Sequence, residues 1–323
     1  GAATFSLRGS GNALTGNIAQ GQEIRIQGDS SNGSATLTMP NGFTNAGTIT
    51  LETIESTSSS NLTVSHATEA LTNTATGVIN VNTGTGGTRT ISANLVNNGT
   101  VNLNESTTFS KTSGSYTNNN AFNIAADKTL EISGASQVFT QAGGTLAVAG
   151  AFNMTSATFN FNGGTVTGVP LLVGSTLNIG AGSTGAATFS TRSSSALSGN
   201  VASGQTILIQ GDNSFGAATL TASSSFSNAG TISLESVSGS TSSSNFTLSS
   251  GTLTNAAGGV FNSNIGGGGT RTVSADLINN GTVNLNTSTT FSKSSGSSIN
   301  NNAFTIAAGQ TLTITGSSQA FTQ

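Results

Sequence analysis

The sequence predicts an all-β fold, a parallel β-solenoid (β-helix) built as one continuous stack of short coils. Three observations predict it: a long internal repeat, a shorter repeat nested inside it, and strand-length runs of alternating apolar and polar residues. Residues 1–141 recur as residues 185–323, with "GAATFS" opening both copies at Gly1 and Gly185 and "FTQ" closing them at Gln141 and Gln323. Residues 142–184 lie between the copies and read as the remainder of the first long period, continuous with the same solenoid.

The shorter rhythm is carried by phrases. "LVNNGTVNL" at 95–103 returns as "LINNGTVNL" at 277–285, with looser relatives "FTNAGTITL" at 43–51 and "FSNAGTISL" at 226–234. A second phrase, "IAQGQEIRIQG" at 18–28, returns as "IAAGQTLTITG" at 306–316. Phrase-like units that begin at Phe43, Leu71, Leu95, Tyr116 and Phe139 are 21 to 28 residues apart, a spacing that suits a coil of several strands and turns. At roughly 22 residues per coil the chain makes about 14–15 coils, and at about 4.8 Å per coil the long period is near 40 Å. Neither end shows an amphipathic helix or a charged, proline-bearing strand, so no helical caps are expected.

Each unit reads as strand. In "GTVNLN" Val283 and Leu285 alternate with Thr282 and Asn284, and in "TLTITG" Leu312 and Ile314 alternate with threonines, a period of two. Clusters of Gly, Asn or Ser stop every run after a few residues. Sixteen Phe against one Tyr and no Trp suit a narrow core, because a buried Phe needs no polar partner.

The turn between paired strands is assigned to Asn45, Gly47, Asn97, Gly99, Asn228, Gly230, Asn279 and Gly281. Gly at these places supplies positive φ without a steric penalty. When coils stack, inward asparagines hydrogen-bond up and down as a ladder. The alternative is an ordinary turn asparagine. The ladder reading is preferred, with Asn279 rather than Asn280 pointing inward.

Composition excludes more than it assigns. Charged residues are 6% of the chain, where about 25% is usual. The eight Lys and Arg stand singly against 11 Asp and Glu, which excludes nucleic acid as a partner, since phosphate contacts need clustered cations. With no Cys and one His, neither a disulfide framework nor a nitrogen–sulfur metal site is available, and no cofactor or metal is expected. No apolar window reaches the length of a membrane span. The start, "GAATFSLRGS", has no signal-peptide pattern, so any targeting segment lies outside this sequence.

No catalytic residue is assigned. His66 reads as a surface turn residue with no counterpart in the second copy. The Gly-rich runs "GTGGTRT" (84–90) and "GGGGTRT" (266–272) lack the ending of a phosphate loop and read as wide turns. Five charged positions recur in both copies, Arg8/Arg192, Asp29/Asp212, Glu52/Glu235, Arg89/Arg271 and Lys111/Lys293. Asp29 and Glu52 are about one coil apart, the only enzyme-like spacing in the chain. The scarcity of Tyr and Trp, and the preference of Asp for turns, favour surface or turn roles for Asp29 and Glu52 over catalysis. Threonine runs such as "TLTIT" (311–315) raise ice binding, but the array is irregular and strand preference accounts for it.

On "L-x-N-x-G-T-hydrophobic-x-L" and "IA-x-G-Q-T-L-x-I-x-G" the whole chain resembles bacterial surface repeat proteins, the filamentous-haemagglutinin-like adhesins and autotransporter passenger domains. The resemblance implies a right-handed solenoid, an extracellular or cell-surface place, and a role as a filament, sheath, matrix element or adhesin stalk. Its implied partners are copies of itself, end-to-end or lateral, and cell-surface or matrix polysaccharide. On the stalk reading, binding loops are expected around 53–60 and 236–244. A polysaccharide-acting enzyme is the distant third reading.

Overall fold

The structure, a computed structural model, describes every residue except Ser56. It is an all-β solenoid of about 14 turns, and the described residues contain no helix. The chain divides into two compact units, Gly1–Asn160 with Gly164–Gly168, and Phe161–Gly163 with Val169–Gln323.

In the first unit, parallel strands stack into sheets, each coil contributing a strand to each. One sheet of eight strands runs from Ala3–Leu7 through Gln22–Asp29, Thr48–Ile54, Val78–Val81, Thr100–Leu103, Ala121–Ile124 and Thr145–Val148 to Thr165–Thr167. A second contains Ala35–Met39, Ser60–Val64, Arg89–Ser92, Thr107–Phe109, Thr129–Ser133 and Ala151–Thr155. A third contains Phe43–Asn45, Ala70–Asn73, Asn94–Asn97, Ser115–Asn118 and Val138–Gln141. Register follows the phrases: Phe43 pairs with Leu71, Leu71 with Leu95, Leu95 with Tyr116, and Tyr116 with Phe139.

The period-two pattern becomes inside and outside. Ile24, Ile49, Ile79, Val101, Phe122, Leu146 and Val166 occupy one register column and are all buried. Their strand neighbours Thr48, Asn80, Asn102 and Asn123 face outward. Aromatic rings continue the core between columns, with Phe109–Tyr116 centroids 4.7 Å apart, Phe122–Phe139 5.7 Å and Phe139–Phe152 5.0 Å. Most of these contacts are tilted or edge-on, as the ring quadrupole favours.

The second unit repeats the scheme with Phe189, Ile207, Ile232, Phe261 and Val283 in one column. Val283 and Leu285 are buried, with Thr282 and Asn284 partly exposed. Leu312 and Ile314 stand in register with the buried Thr289 and Phe291, on the inward side as their alternation implied, although Ile314 is exposed and Leu312 part-exposed. Their first-copy counterparts Leu130 and Ile132 are buried because Phe152 and Met154 stack on them. Phe5 and Phe215 are also exposed rather than packed in the core.

The turn glycines need a correction. Gly47, Gly99, Gly230 and Gly281 do not have positive φ. They are glycine because coils approach too closely for anything larger. A Cβ on Gly281 would lie closer than 3.0 Å to Gly259 O, Ala256 O and Asn255 Nδ2 of the adjacent coil. A Cβ on Gly99 would meet Gly77 O and Thr74 O in the same way. Stacked turns place backbone over backbone, and a methyl group there forces the coils apart. Gly281→Ala is therefore expected to cost about 2–3 kcal/mol by chemical denaturation. Gly258→Asn, at φ 84° with open space around it, should cost less than about 1 kcal/mol, because Asn tolerates that backbone.

Candidate functional site: amide ladders and enclosed cations

Asparagine ends the strand that precedes each stacked turn, so the register that aligns the strands also aligns the amides. Asn45 pairs with Asn73, Asn73 with Asn97, Asn97 with Asn118 and Asn118 with Gln141. Each Nδ2 donates to the next side-chain oxygen, at 2.8, 2.8, 2.7 and 2.9 Å. Gln141 Nε2 then donates to Gly143 O at 2.6 Å. All five amides are buried.

The second unit holds a matching ladder. Asn228 donates to Asn255, Asn255 to Asn279 and Asn279 to Asn300, at 2.8, 2.8 and 2.7 Å. The two readings of the asparagine, ladder and turn, turn out to be compatible. Asn97 Oδ1 accepts the Gly99 N–H, and Asn279 Oδ1 accepts the Gly281 N–H, both at 3.2 Å. The same side chain thus joins two coils and closes its own turn. Asn280 lies outside the buried ladder, accepting instead from Asn301 at an exposed rung.

Of the eight turn residues singled out from sequence, Asn45, Gly47, Asn97 and Gly99 meet in the first unit, and Asn228, Gly230, Asn279 and Gly281 in the second. Asn73, Asn118, Gln141, Asn255 and Asn300 were missed as members. Their signal was available, since each stands third in a short phrase such as Leu71-Thr72-Asn73 or Phe139-Thr140-Gln141.

The recurring charges separate into two groups, and in one the cations are enclosed by backbone carbonyls. Arg89 and Arg271 are each 1% exposed. Arg89 reaches Gly86 O at 3.0 Å, Thr53 Oγ1 at 3.0 Å and Asn82 O at 3.3 Å. Arg271 reaches Asn264 O at 2.8 Å, Gly268 O at 2.8 Å and Thr270 O at 3.0 Å. The Gly-rich runs are loops folded around these guanidinium groups. Gly86, Gly87, Gly268 and Gly269 have positive φ, and the carbonyls of Gly86, Gly87 and Gly268 point inward to the guanidinium groups. Neither arginine has an ion-pair partner among the described residues. Burial lowers the pKa of both from the usual arginine value. Lys111 is also buried. The sequence signal was "GGTRT" in both copies, a cation beside residues whose backbone can curl onto it.

The second group is engaged at turns and between neighbouring strands, with Asp29 and Asp212 themselves buried. Asp29 accepts from Ser31 N at 2.8 Å and Asn32 N at 2.7 Å, and forms an ion pair with Arg8 at 3.4 Å. Asn32's side-chain and backbone N–H groups hold its carboxyl below the ordinary range. Asp212 caps its own turn through Ser214 N and pairs with Arg192. Glu52 lies opposite Gln27 on the neighbouring coil and accepts its amide at 2.7 Å. Glu235 does the same with Gln210 at 2.8 Å. Asp29 and Glu52 thus lie on neighbouring strands but are bonded to different partners. His66 is exposed. No group of three His, Cys, Asp or Glu among the described residues could hold a metal ion, and no described helix is long and apolar enough to cross a membrane.

Outward asparagines make shallower rungs. Asn123 donates to Asn102 and Asn102 to Asn80, both at 2.9 Å, and Asn284 donates to Asn262 at 3.0 Å. Being partly solvated, these rungs are worth less than buried ones.

Compared with known proteins, the chain matches no family model, no curated protein and no solved structure.

Two outcomes test this account. Asn97→Leu removes the rung from Asn73 and strands the Asn118 oxygen and the Gly99 N–H, and should cost about 3–5 kcal/mol in denaturant unfolding. Asn98→Ala, on the outer side, should cost under about 1 kcal/mol. The second concerns Tyr116, whose buried hydroxyl donates to Gln137 Oε1 at 2.8 Å and whose phenol burial pushes up to about 12 from 10.0. The unfolded phenol ionises first, so stability holds below pH 10 and falls by about 2–3 kcal/mol as pH rises towards 12. Denaturation midpoints followed with phenolate absorbance read this directly.

Proposed function

We propose that this protein is an extracellular structural repeat protein of a bacterial cell, a stiff β-solenoid that builds a filament, sheath or matrix element. The observation that supports the reading most is the buried amide ladder within each unit. A continuous column of amides and parallel backbone hydrogen bonds resists both register slippage and local opening, which suits a load-bearing element better than a flexible binding module. The low charged fraction, 6% of the chain, supports the same reading. Its partners are then copies of itself, end-to-end or lateral, with cell-surface or matrix polysaccharide as a further surface to meet.

The reading carries no catalysis. The recurring acids Asp29, Asp212, Glu52 and Glu235 are each engaged by their own turn or by a neighbouring glutamine, which favours a structural use of those four over an acid–base pair. The stalk of an adhesin is the second reading. It is favoured by Phe215, which is exposed on a turn with Arg192 stacked 5.8 Å from its ring centre. Of the loops expected to bind, 236–244 has Ser236, Ser240 and Ser244 buried, and 53–60 includes Ser56, outside the described residues.

Electron microscopy of the native material decides between them. Long uniform filaments with an axial repeat near 40 Å are the expected result. Short isolated particles, or stalks ending in a distinct head, would sink the fibre reading and favour the stalk.

A further inference from the structure

The two long repeats put a lysine at the same turn and compensate its charge differently. In the second copy Lys293 Nζ donates to Asp276 Oδ2 at 2.8 Å, and Ser297 N–H donates to Asp276 Oδ1 at 2.7 Å. Burial pushes the Asp276 carboxyl up, but these two donors outweigh it and hold it below the ordinary range. The first copy has Asn94 where the second has Asp276, "SANL" against "SADL". Asn94 keeps the backbone role, its Oδ1 accepting from Ser115 N at 3.0 Å, but it brings no charge.

Lys111 is 8% exposed and has no carboxylate within ion-pairing distance among the described residues. Its Nζ donates to Val64 O at 2.5 Å and His66 O at 2.9 Å, with Ser65 O at a long 3.5 Å. An ammonium has three hydrogens, so one is poorly used. Carbonyl dipoles satisfy hydrogen bonds without cancelling charge, and an uncompensated buried ion is costly.

Lys111 also lines a cavity of about 840 Å³, together with Asn94, Thr68, Ser92 and Ser113. The volume falls in the range of small-molecule sites, about 300–1,000 Å³. Its place follows from a difference between the copies. Residues 65–69 leave the coil between strands Ser60–Val64 and Ala70–Asn73, whereas in the second copy Ser244–Asn255 crosses the corresponding stretch as one strand. The loop opens the coil beside the lysine, and the acid that neutralises the lysine elsewhere is an amide here.

We propose that this cavity binds a hydroxylated carboxylate the size of a hexuronic acid. The ligand carboxylate, entering from the cavity that Asn94 and Lys111 both line, supplies Lys111 with the counter-charge that Asp276 supplies to Lys293, and the side chains of Thr68, Ser92 and Ser113 meet the ligand hydroxyls. The assignment goes beyond the structural role and stands whether or not the protein polymerises.

The test is isothermal titration calorimetry of the full chain with galacturonic acid, with galactose as the neutral counterpart. Saturable binding of galacturonate, at least about tenfold tighter than galactose, is expected, the worth of one charge-assisted contact. Asn94→Asp, which gives the first copy the second copy's counter-ion, should weaken galacturonate about tenfold or more without lowering the thermal midpoint. Lys111→Met should abolish the preference for the acid. If Lys111→Met does not fold, Asn94→Asp decides alone. Absence of galacturonate binding, equal binding of the two sugars, or binding unchanged by Asn94→Asp overturns the proposal.

Discussion

Parallel coils stacked about 4.8 Å apart bring each side chain against the residue at the same position one coil away. Like therefore meets like, and the sequence must choose residues that tolerate their own company. Leu, Ile, Val and Phe do so through dispersion, and Asn does so because its amide carries both a donor and an acceptor. Threonine and serine do so at the surface. Lys, Asp and Glu do not, which gives a physical reason for a charged fraction of only 6%. Apolar columns, amide ladders and glycine turns are three answers to that one constraint.

The amide ladder contributes specificity beyond its energy. A buried amide bond is worth about 1 kcal/mol net, while a buried amide left unpaired costs about 1–3. The asymmetry penalises a one-residue slip, which would set Asn97 beside residues whose side chains point to the other face of the sheet. The apolar columns supply most of the stabilisation and would tolerate small misalignments. The ladder does not. It holds the register that the turn glycines also require, since Gly99 and Gly281 fit only when the carbonyls of the adjacent coil lie directly against them.

The few charges show how differently an identical backbone plan can be used. Arg89 and Arg271 sit inside loops of their own repeat, held by carbonyls in place of acids. The structural result is a loop that cannot flatten against its neighbours without stripping a guanidinium of its partners. Lys111 and Lys293 began from the same position and diverged by one atom's worth of chemistry, the amide of Asn94 against the carboxylate of Asp276. Function is more readily sought at such divergences between copies than in the parts that both copies share, because the shared parts are explained by stacking alone.

The sequence by itself determined the fold class, the coil spacing and the inward face of most strands. These depend on local alternation and on repetition, and both are visible in one dimension. Leu71, Leu95, Tyr116 and Phe139 stack in the order their spacing implied. What it left open was whether the asparagines formed ladders or turns, because an amide's partner lies a whole coil away. The tertiary structure decided that Asn97 and Asn279 do both. It also decided that Gly281 answers to close approach rather than to positive φ, since the atoms a side chain would meet belong to the neighbouring coil. Burial of Arg89, Arg271 and Lys111 was likewise illegible. The arginines are enclosed by carbonyls of their own Gly-rich loops, which an alternation pattern does not record, and Lys111 by carbonyls of residues 64–66, some 45 positions away in the chain.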